Sequence, residues 1–238
     1  MNPMKSTHEK TWRLVVVGTG TGIGKTHASV ALLTALKDHG CLAAGVKPVE
    51  SGVTGTPGEE TDAGQLRGAS LFHVKHSSLH NLRAAVSPHL AARLEGRDLD
   101  PEGIVDWVLD LDAPILLVET AGGLLSPIAP GFTNLDLALS LQPDALLLVA
   151  PDRLGVLHDI SACLRVLAAA PTLPPARLLL QAPAEADITT GTNAAELITL
   201  DIHPRPHVFP RAPSSSASLR AAVGELLRDL GVPSPTRT

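Results

Sequence analysis

The sequence predicts an α/β domain of the doubly wound type, with a mostly parallel sheet and helices on both faces. Short apolar runs alternate with segments of helical periodicity along nearly all of the 238 residues, which is typical of parallel α/β folds. The apolar runs are continuous in Val and Leu instead of alternating with polar residues, which indicates strands buried on both faces. A glycine-rich segment also joins the first predicted strand to the first predicted helix.

Strands are predicted at the apolar runs, and helices where apolar residues recur with helical spacing. The predicted strands are Leu14–Val17, Leu42–Val46, Ile115–Val118, Ala145–Val149, Arg177–Leu180 and His207–Phe209. The predicted helices are His27–Lys37, Asp62–Gly68, Pro101–Leu109, Leu135–Leu141, Val156–Ala169, Thr192–Leu200 and Ser216–Leu230. Gly40 follows the first helix where a left-handed cap belongs. We expect a single domain over residues 12–231, with flexible tails at 1–11 and 232–238.

The glycine-rich segment predicts a phosphate loop, because it lies between a strand and a helix. Its sequence is Gly18-Thr19-Gly20-Thr21-Gly22-Ile23-Gly24-Lys25-Thr26. Glycines let consecutive backbone N–H groups converge on an anion, and the positive end of the following helix points at the same place. Lys25 would add charge for the β- and γ-phosphates of ATP, and the Thr26 hydroxyl would be a ligand for Mg²⁺. The fold expected around this loop is P-loop NTPase-like.

Composition restricts the classes of partner. Aromatic residues make up 2% of the chain, tyrosine is absent and the formal net charge is −5, with no basic run. Because base stacking needs aromatic side chains and a phosphate backbone needs clustered positive charge, we expect no nucleic-acid partner.

No apolar stretch reaches the roughly 20 residues of a membrane span and no secretory signal is present, so we expect a cytoplasmic protein without a membrane partner. Cys41 and Cys163 have no metal-ligand or redox spacing and are expected to be buried small hydrophobic residues.

Polar residues follow three of the predicted strands, where ligands bind in doubly wound folds. The segments are 47–52, 119–123 and 150–155. Glu119 ends an apolar strand, and a metal ion would offset the unfavourable burial of its carboxylate. Asp62, directly after Thr61, is open to two interpretations, a metal ligand or part of a helix N-cap. His73, His76 and His80 have the spacing of one helical face, but a polar surface segment is the better account because no carboxylate or Cys completes a metal set.

In the order in which they occur, these segments resemble the dethiobiotin synthetase family. The matching residues are Gly18-Thr19-x-Thr21-Gly22-x-Gly24-Lys25-Thr26, Lys47-Pro48-Val49-x-Ser51-Gly52, Thr61-Asp62, Ser87-Pro88-His89, Glu119-x-Ala121-Gly122-Gly123 and Leu154-Gly155. The resemblance extends over about residues 12–230 and is most specific up to Gly123. The chain departs from the family at Thr120 (usually Gly), Arg153 (usually Lys), His158-Asp159 (usually Asn-His) and Gln181, which stands where the family has an adenine-binding Asn.

The resemblance implies an ATP-dependent ring closure in biotin synthesis. One amine of 7,8-diaminononanoate would take up CO₂, supplied with bicarbonate, as a carbamate. ATP would phosphorylate the carbamate to a mixed anhydride, and the second amine would then close the cyclic urea and release phosphate. The resemblance also implies a homodimer in which the loop 153–155 binds the distant carboxylate of the substrate near the subunit interface.

It further implies roles for individual residues. The catalytic residues would be Lys25, Lys47 and Thr21. The substrate would be bound by Ser51, Ser87, Arg153, Leu154 and Gly155. ATP would be bound by Gly20, Thr21, Gly22, Ile23, Gly24, Lys25, Thr26, Asp62, Glu119, Gly122, Gly123, Gln181, Pro210 and Arg211. The ligands of Mg²⁺ would be Thr26, Asp62 and Glu119.

Three other functions share parts of this pattern. The ATP-using domain of corrinoid amide synthases has a similar loop, but it needs a fused amidotransferase domain, which we do not expect in 238 residues. Switch ATPases of the partitioning and metallochaperone type usually carry a signature Lys at the position of Gly20. A non-catalytic nucleotide-binding protein stays open because of Thr120 and Gln181.

Overall fold

The computed structural model describes residues 10–55, 58–213 and 216–233. The predicted tails lie largely outside these residues, at 1–9 and 234–238. The strands are β1 Trp12–Gly18, β2 Ala43–Val46, β3 Val49–Ser51, β4 His80–Leu82, β5 Ile115–Glu119, β6 Pro127–Ala129, β7 Phe132–Thr133, β8 Ala145–Pro151, β9 Ala176–Gln181 and β10 Pro206–Phe209. The helices are α1 Lys25–Asp38, α2 Asp62–Ala69, α3 Pro88–Leu94, α4 Pro101–Leu109, α5 Asn134–Leu141, α6 Val156–Ala168, α7 Asn193–Thr199 and α8 Ala217–Leu230.

The central sheet has six parallel strands in the order β10-β9-β8-β1-β5-β2. Each of these strands corresponds to one of the predicted apolar runs. The chain leaves β1 at the centre, builds one edge through β2 and β5, and returns to build the other through β8, β9 and β10. This reversal at β1 is the arrangement of a doubly wound fold, in which the carboxyl ends of β1, β5 and β8 lie side by side.

Alternate residues of each central strand contact opposite layers of helices. On β1, Val15 and Val17 pack into a layer formed with α4, α5 and α6, whereas Leu14 and Val16 pack into the layer formed with α1 and α8. All four side chains are buried. Both faces of the sheet are therefore covered, and this explains why the strands are continuous apolar runs in the sequence.

The differences from the predicted elements are local. The first helix begins at Lys25, two residues before the predicted start, because the phosphate loop ends directly in helix. The helix α3 and the short strand pairs β3–β4 and β6–β7 were not predicted from the sequence.

Gly40 has φ +73°, which confirms the left-handed cap. Cys41 is buried as expected, whereas Cys163 is only partly buried. No helix in the described ranges is both long and apolar enough to cross a bilayer.

Candidate active site

The phosphate loop spans the gap between β1 and α1. Gly22 and Gly24 have φ values of +68° and +94°, a conformation that glycine adopts without strain. A Cβ atom at Gly24 would also collide with the Gln181 side chain. Gly24 occupies the N-cap of α1, and no side chain of the described residues caps that end. The loop therefore presents backbone N–H groups and the positive end of α1 to an anion.

Lys25 is tied to the loop by two backbone carbonyls. Its Nζ donates to Gly20 O at 3.0 Å and to Gly122 O at 2.7 Å, and the residue is 5% exposed. Burial lowers the pKa of Lys25 to about 8. Both acceptors are neutral, so a phosphate oxygen would be a stronger partner for this ammonium group.

A second, more highly charged group lies at the ends of β2 and β5. We call Lys47, Asp62 and Glu119 the Lys47 cluster. Lys47 Nζ donates to Glu119 Oε1 at 2.9 Å and also to Asp62 Oδ2. Burial alone would lower the pKa of Lys47, but the attraction of Glu119 and Asp62 outweighs it and raises that pKa well above its usual value. Burial would raise the pKa of Asp62, but Lys47 outweighs that effect and lowers it.

Secondary structure brings the Lys47 cluster together. Glu119 is the last residue of β5, paired in register with Val16 of β1, and its side chain is fully buried. Lys47 follows β2, and its backbone N donates to Ser77 O at 2.8 Å. Asp62 is the first residue of α2. The carboxyl ends of two adjacent strands and the start of one helix thus converge on a single point.

The question of the helix cap is settled in favour of Thr61. Its Oγ1 accepts a hydrogen bond from Gly64 N at 3.0 Å, whereas the Asp62 carboxylate faces Lys47. The sequence analysis missed Glu50, whose carboxylate accepts from Asp62 N at 2.6 Å and from Ala63 N at 3.0 Å. Glu50 is 5% exposed. It fixes the start of α2, and therefore Asp62, relative to β3.

The residues predicted to hold Mg²⁺ fit such an ion. Thr26 Oγ1 donates to Glu119 Oε1 at 2.8 Å, so the hydroxyl and the carboxylate are adjacent. Glu119 Oε2 is buried and has no hydrogen-bond partner among the described residues. A carboxylate oxygen in that position is costly to leave alone, and Mg²⁺ prefers such oxygen ligands together with water.

The segment after Glu119 packs directly on the phosphate loop. Gly123 lies so close that an added Cβ would be 3.2 Å from Thr19 O, and Leu124 N donates to Gly18 O at 2.7 Å. Asn134, another residue missed by the sequence analysis, holds this segment through Nδ2, which donates to Ala121 O and Gly123 O at 2.7 Å each.

Thr120, one of the departures from the family pattern, has a structural explanation. Its hydroxyl donates to Val16 O at 3.0 Å, and the residue is 1% exposed. A buried hydroxyl with a partner carries little penalty, so a threonine is accommodated at this position.

The predicted substrate serines lie on neighbouring segments, Ser51 as the last residue of β3 and Ser87 directly before α3. Gly52 N donates to Ala84 O at 3.1 Å, which brings the segment after β3 against the segment that leads into α3. Ser51 Oγ is buried without a partner among the described residues. Ser87 stands at the N-cap of α3, and its side chain makes no capping bond within the described part of the chain. A hydroxyl without a partner at Ser51 is suited to accept or donate to a ligand.

The loop after β8 is exposed but firmly attached at its base. Arg153 and Gly155 are exposed, and Leu154 is 73% exposed. Leu154 N donates to Asp187 Oδ2 at 2.7 Å, and this bond is the main cause that lowers the pKa of Asp187 to about 2. Asp152 is buried, and its carboxylate accepts from Gly191 N and from Asn193 Nδ2. The loop is thus held to the segment before α7.

A cleft of about 390 Å³ runs from the phosphate loop to this exposed loop. Its lining residues are Thr21, Gly22, Ile23, Pro151, Arg153, Ala182, Pro183, Ala184, Glu185, Asp187 and Arg211. A larger cavity of about 550 Å³ lies between α2 and the segment 73–81, but no phosphate-loop residue borders it. For that reason we assign the nucleotide end of the site to the smaller cleft, although none of the residues of the Lys47 cluster borders it. The segment 71–79 is not helical, so His73, His76 and His80 do not share a helical face.

Gln181 lies beneath the cleft and does not line it. It is 1% exposed; its Oε1 lies 3.1 Å from His27 Nδ1, and its Nε2 donates to Ala182 O at 3.3 Å. His27 Nε2 lies 3.2 Å from Ala212 O. Two of the residues predicted to bind the base therefore differ in position. Arg211 borders the cleft, whereas the Gln181 amide is hydrogen-bonded to His27 and to the backbone.

Comparison with known proteins gives a family match over most of the chain. A profile described as an AAA domain matches residues 12–195. The ATP-dependent dethiobiotin synthetase BioD of Caulobacter vibrioides is 36% identical over 162 residues, or 66% of this chain and 74% of that protein. The protein of the same name from Anaeromyxobacter dehalogenans is 33% identical over 218 residues, or 90% of this chain and 96% of that protein.

Solved structures show the same fold at low identity. A plasmid partition protein from Borrelia burgdorferi bound to AMPPNP aligns with a TM-score of 0.59 at 9% identity, over 92% of this chain and 99% of that chain. The MinC:MinD cell division complex of Aquifex aeolicus gives a TM-score of 0.53 at 13% identity, over 96% of this chain and 99% of that chain.

Proposed function

The chain belongs to the ATP-dependent dethiobiotin synthetase family, and on that basis we propose that it converts 7,8-diaminononanoate, CO₂ and ATP to dethiobiotin, ADP and phosphate. The observation that carries the proposal is the placement of the Lys47 cluster beside a phosphate loop. A γ-phosphate on the loop would lie next to a buried lysine and next to two carboxylates that would hold Mg²⁺, and both cations would offset phosphate charge during phosphoryl transfer.

The proposed reaction has three steps. One amine of the substrate attacks CO₂ and loses a proton, which gives a carbamate. A carbamate oxygen then attacks the γ-phosphorus of ATP in line, and the bond to ADP breaks. The second amine attacks the carbamate carbon, phosphate leaves, and loss of a proton gives the cyclic urea.

Each step places a demand on charge or position. Lys25 stabilises the β- and γ-phosphate oxygens, and Lys47 stabilises the charge shared between the carbamate and the γ-phosphate. Thr21 and Ser51 position the carbamate by hydrogen bonds, and Gly122 and Gly123 allow the backbone to approach. Mg²⁺ held by Thr26, Asp62 and Glu119 would neutralise phosphate charge when bound.

One assay tests the reaction and separates it from a switch ATPase. Purified protein is mixed with Mg²⁺-ATP, and phosphate release is followed with the diamine and bicarbonate supplied singly and together. We expect release only when both are present, together with a product of the mass of the cyclic urea. Phosphate release that is independent of the diamine would contradict the proposal.

We further propose a homodimer in which the loop 153–155 lies near the interface and its Arg153 binds the substrate carboxylate. Leu154→Glu would place a charge on the apolar side chain that is 73% exposed there. We expect this variant to sediment as a monomer and to lose at least about tenfold in kcat/KM, since the substrate site would be incomplete.

Leu42→Glu is the matched control. Leu42 is 48% exposed and precedes β2, the edge strand that lies three positions from β8 in the central sheet. Analytical ultracentrifugation and activity at nanomolar protein decide the matter. A wild-type monomer with full activity at that concentration would exclude a shared site.

We expect the protein to discriminate only weakly between nucleotide bases. The Gln181 amide is held by His27, and the cleft is bordered there by Ala182, Pro183 and Arg211. Discrimination is large only when a wrong base leaves buried polar groups unpaired. We expect kcat/KM for ATP to exceed that for GTP or CTP by no more than about tenfold, equivalent to ~1.4 kcal/mol.

The prediction is checked by measuring kcat/KM for the three nucleotides at saturating diamine, in the wild type and in Gln181→Leu. The ratio between nucleotides should hardly change in the variant. A thousandfold preference for ATP that disappears in Gln181→Leu would mean that this amide reads the base after all.

A further inference from the structure

Lys47 is paired with two of the three residues that are proposed to hold the metal, although Glu119 Oε2 has no partner among the described residues. Its ammonium group bonds Glu119 Oε1 and Asp62 Oδ2, and Thr26 Oγ1 donates to that same Glu119 oxygen. The Lys47 side chain is 8% exposed and that of Glu119 is fully buried. An ammonium group and a divalent cation bound to the same two carboxylate groups would lie close together in a buried site and would repel each other strongly.

We propose that a divalent cation and Lys47 exchange at this site: the cation takes Asp62 and Glu119, and the displaced Lys47 ammonium moves to the reacting oxygens. The inference rests on the proposed function for the identity of the metal ligands. The proposal adds that Lys47, which stabilises the transferred phosphate, stays paired with the metal ligands until the metal binds.

The exchange links the metal to the nucleotide. A displaced ammonium group with no new anion beside it would be a buried, unpaired charge, which is strongly unfavourable. The γ-phosphate on the adjacent loop supplies that anion. The metal alone should therefore bind weakly, and metal and nucleotide should strengthen each other's binding reciprocally.

Lys47→Met provides a test in which the metal alone is the ligand. Mn²⁺, which has an electron paramagnetic resonance signal that is lost on binding, is titrated into the protein at about pH 8 without nucleotide, diamine or bicarbonate. We expect Lys47→Met to bind Mn²⁺ at least about tenfold more tightly than the wild type, because the competing cation has been removed. Glu119→Gln added to Lys47→Met should abolish this gain.

Lys25→Met is the matched control for charge. It removes a nearby buried lysine whose ammonium group, among the residues that the structure describes, donates to two backbone carbonyls and to no carboxylate. We expect a clearly smaller gain in Mn²⁺ affinity than in Lys47→Met, since Lys25 interacts with Glu119 and Asp62 only through space and its loss frees no ligand carboxylate. Lys47→Arg, which keeps the charge, should bind Mn²⁺ no more tightly than the wild type.

Two outcomes would overturn the exchange. One is a Lys47→Met protein that is folded by circular dichroism and binds Mn²⁺ no more tightly than the wild type. The other is an equal gain in Lys47→Met and Lys25→Met, which would reflect net charge alone. If Lys47→Met does not fold, Lys47→Gln takes its place, with the same expected gain. Because no turnover is measured, failure of the proposed ring closure would not alter these results.

Discussion

Replacing Glu119 by Gln should lower turnover by about 10²–10³-fold and leave the fold intact. Gln has nearly the same shape, and its Oε1 can still accept the hydrogen bonds that Thr26 and Lys47 donate to Glu119. What is lost is the negative charge and the second carboxylate oxygen, which is buried without a partner among the described residues. If that oxygen is a metal ligand, a neutral amide there binds Mg²⁺ poorly.

The measurement is kcat against Mg²⁺ concentration, with a thermal melt to verify folding. We expect Glu119→Gln to require more Mg²⁺ for half-maximal activity and to stay slow at saturation. Glu102→Gln, on the first turn of α4, is a control that should behave as the wild type. Unchanged activity of Glu119→Gln at limiting Mg²⁺ would remove Glu119 from the metal site.

The central sheet could be predicted from the sequence because its strands are buried on both faces. Runs such as 14–17 and 145–149 are apolar at every position, and all residues of both runs are buried. The strands β3 and β4 could not be predicted this way. Their ladder pairs three residues from each of two segments that lie about thirty residues apart in the sequence. Each segment is therefore too short to show the pattern of apolar and polar residues that identifies a strand.

The same limit applies to the site. The positions of Lys25, Lys47 and Glu119 at one edge of the sheet could be predicted because each follows or ends an element that the pattern identifies, whereas their roles stay predictions. The contribution of Glu50 depends on a helix that begins twelve residues later, which no local pattern reports. Likewise, the sequence places Gln181 at a strand end, but only the fold brings His27 within hydrogen-bonding distance and turns the amide away from the cleft.

Replacing Lys47 by Met should lower kcat by about 10²–10³-fold. The side chain keeps much of its length and apolar volume, but the ammonium group that would lie between the carbamate and the γ-phosphate is gone. Negative charge moves between those two groups as the phosphoryl group is transferred, so the lost interaction is strongest in the transition state. An interaction of that kind contributes to kcat more than to binding of ATP.

Single-turnover rates and direct titration of ATP separate the two quantities. We expect the chemical rate to fall as stated while the Kd of ATP stays within about threefold of the wild type. Lys10→Met removes an exposed lysine paired with Asp144 and should change neither value, since exposed ion pairs contribute little. A loss of ATP affinity with a normal chemical rate would assign Lys47 to nucleotide binding instead. Tighter Mn²⁺ binding together with slower chemistry in the same variant would mean that this charge opposes the metal in the resting site and assists it in the transition state.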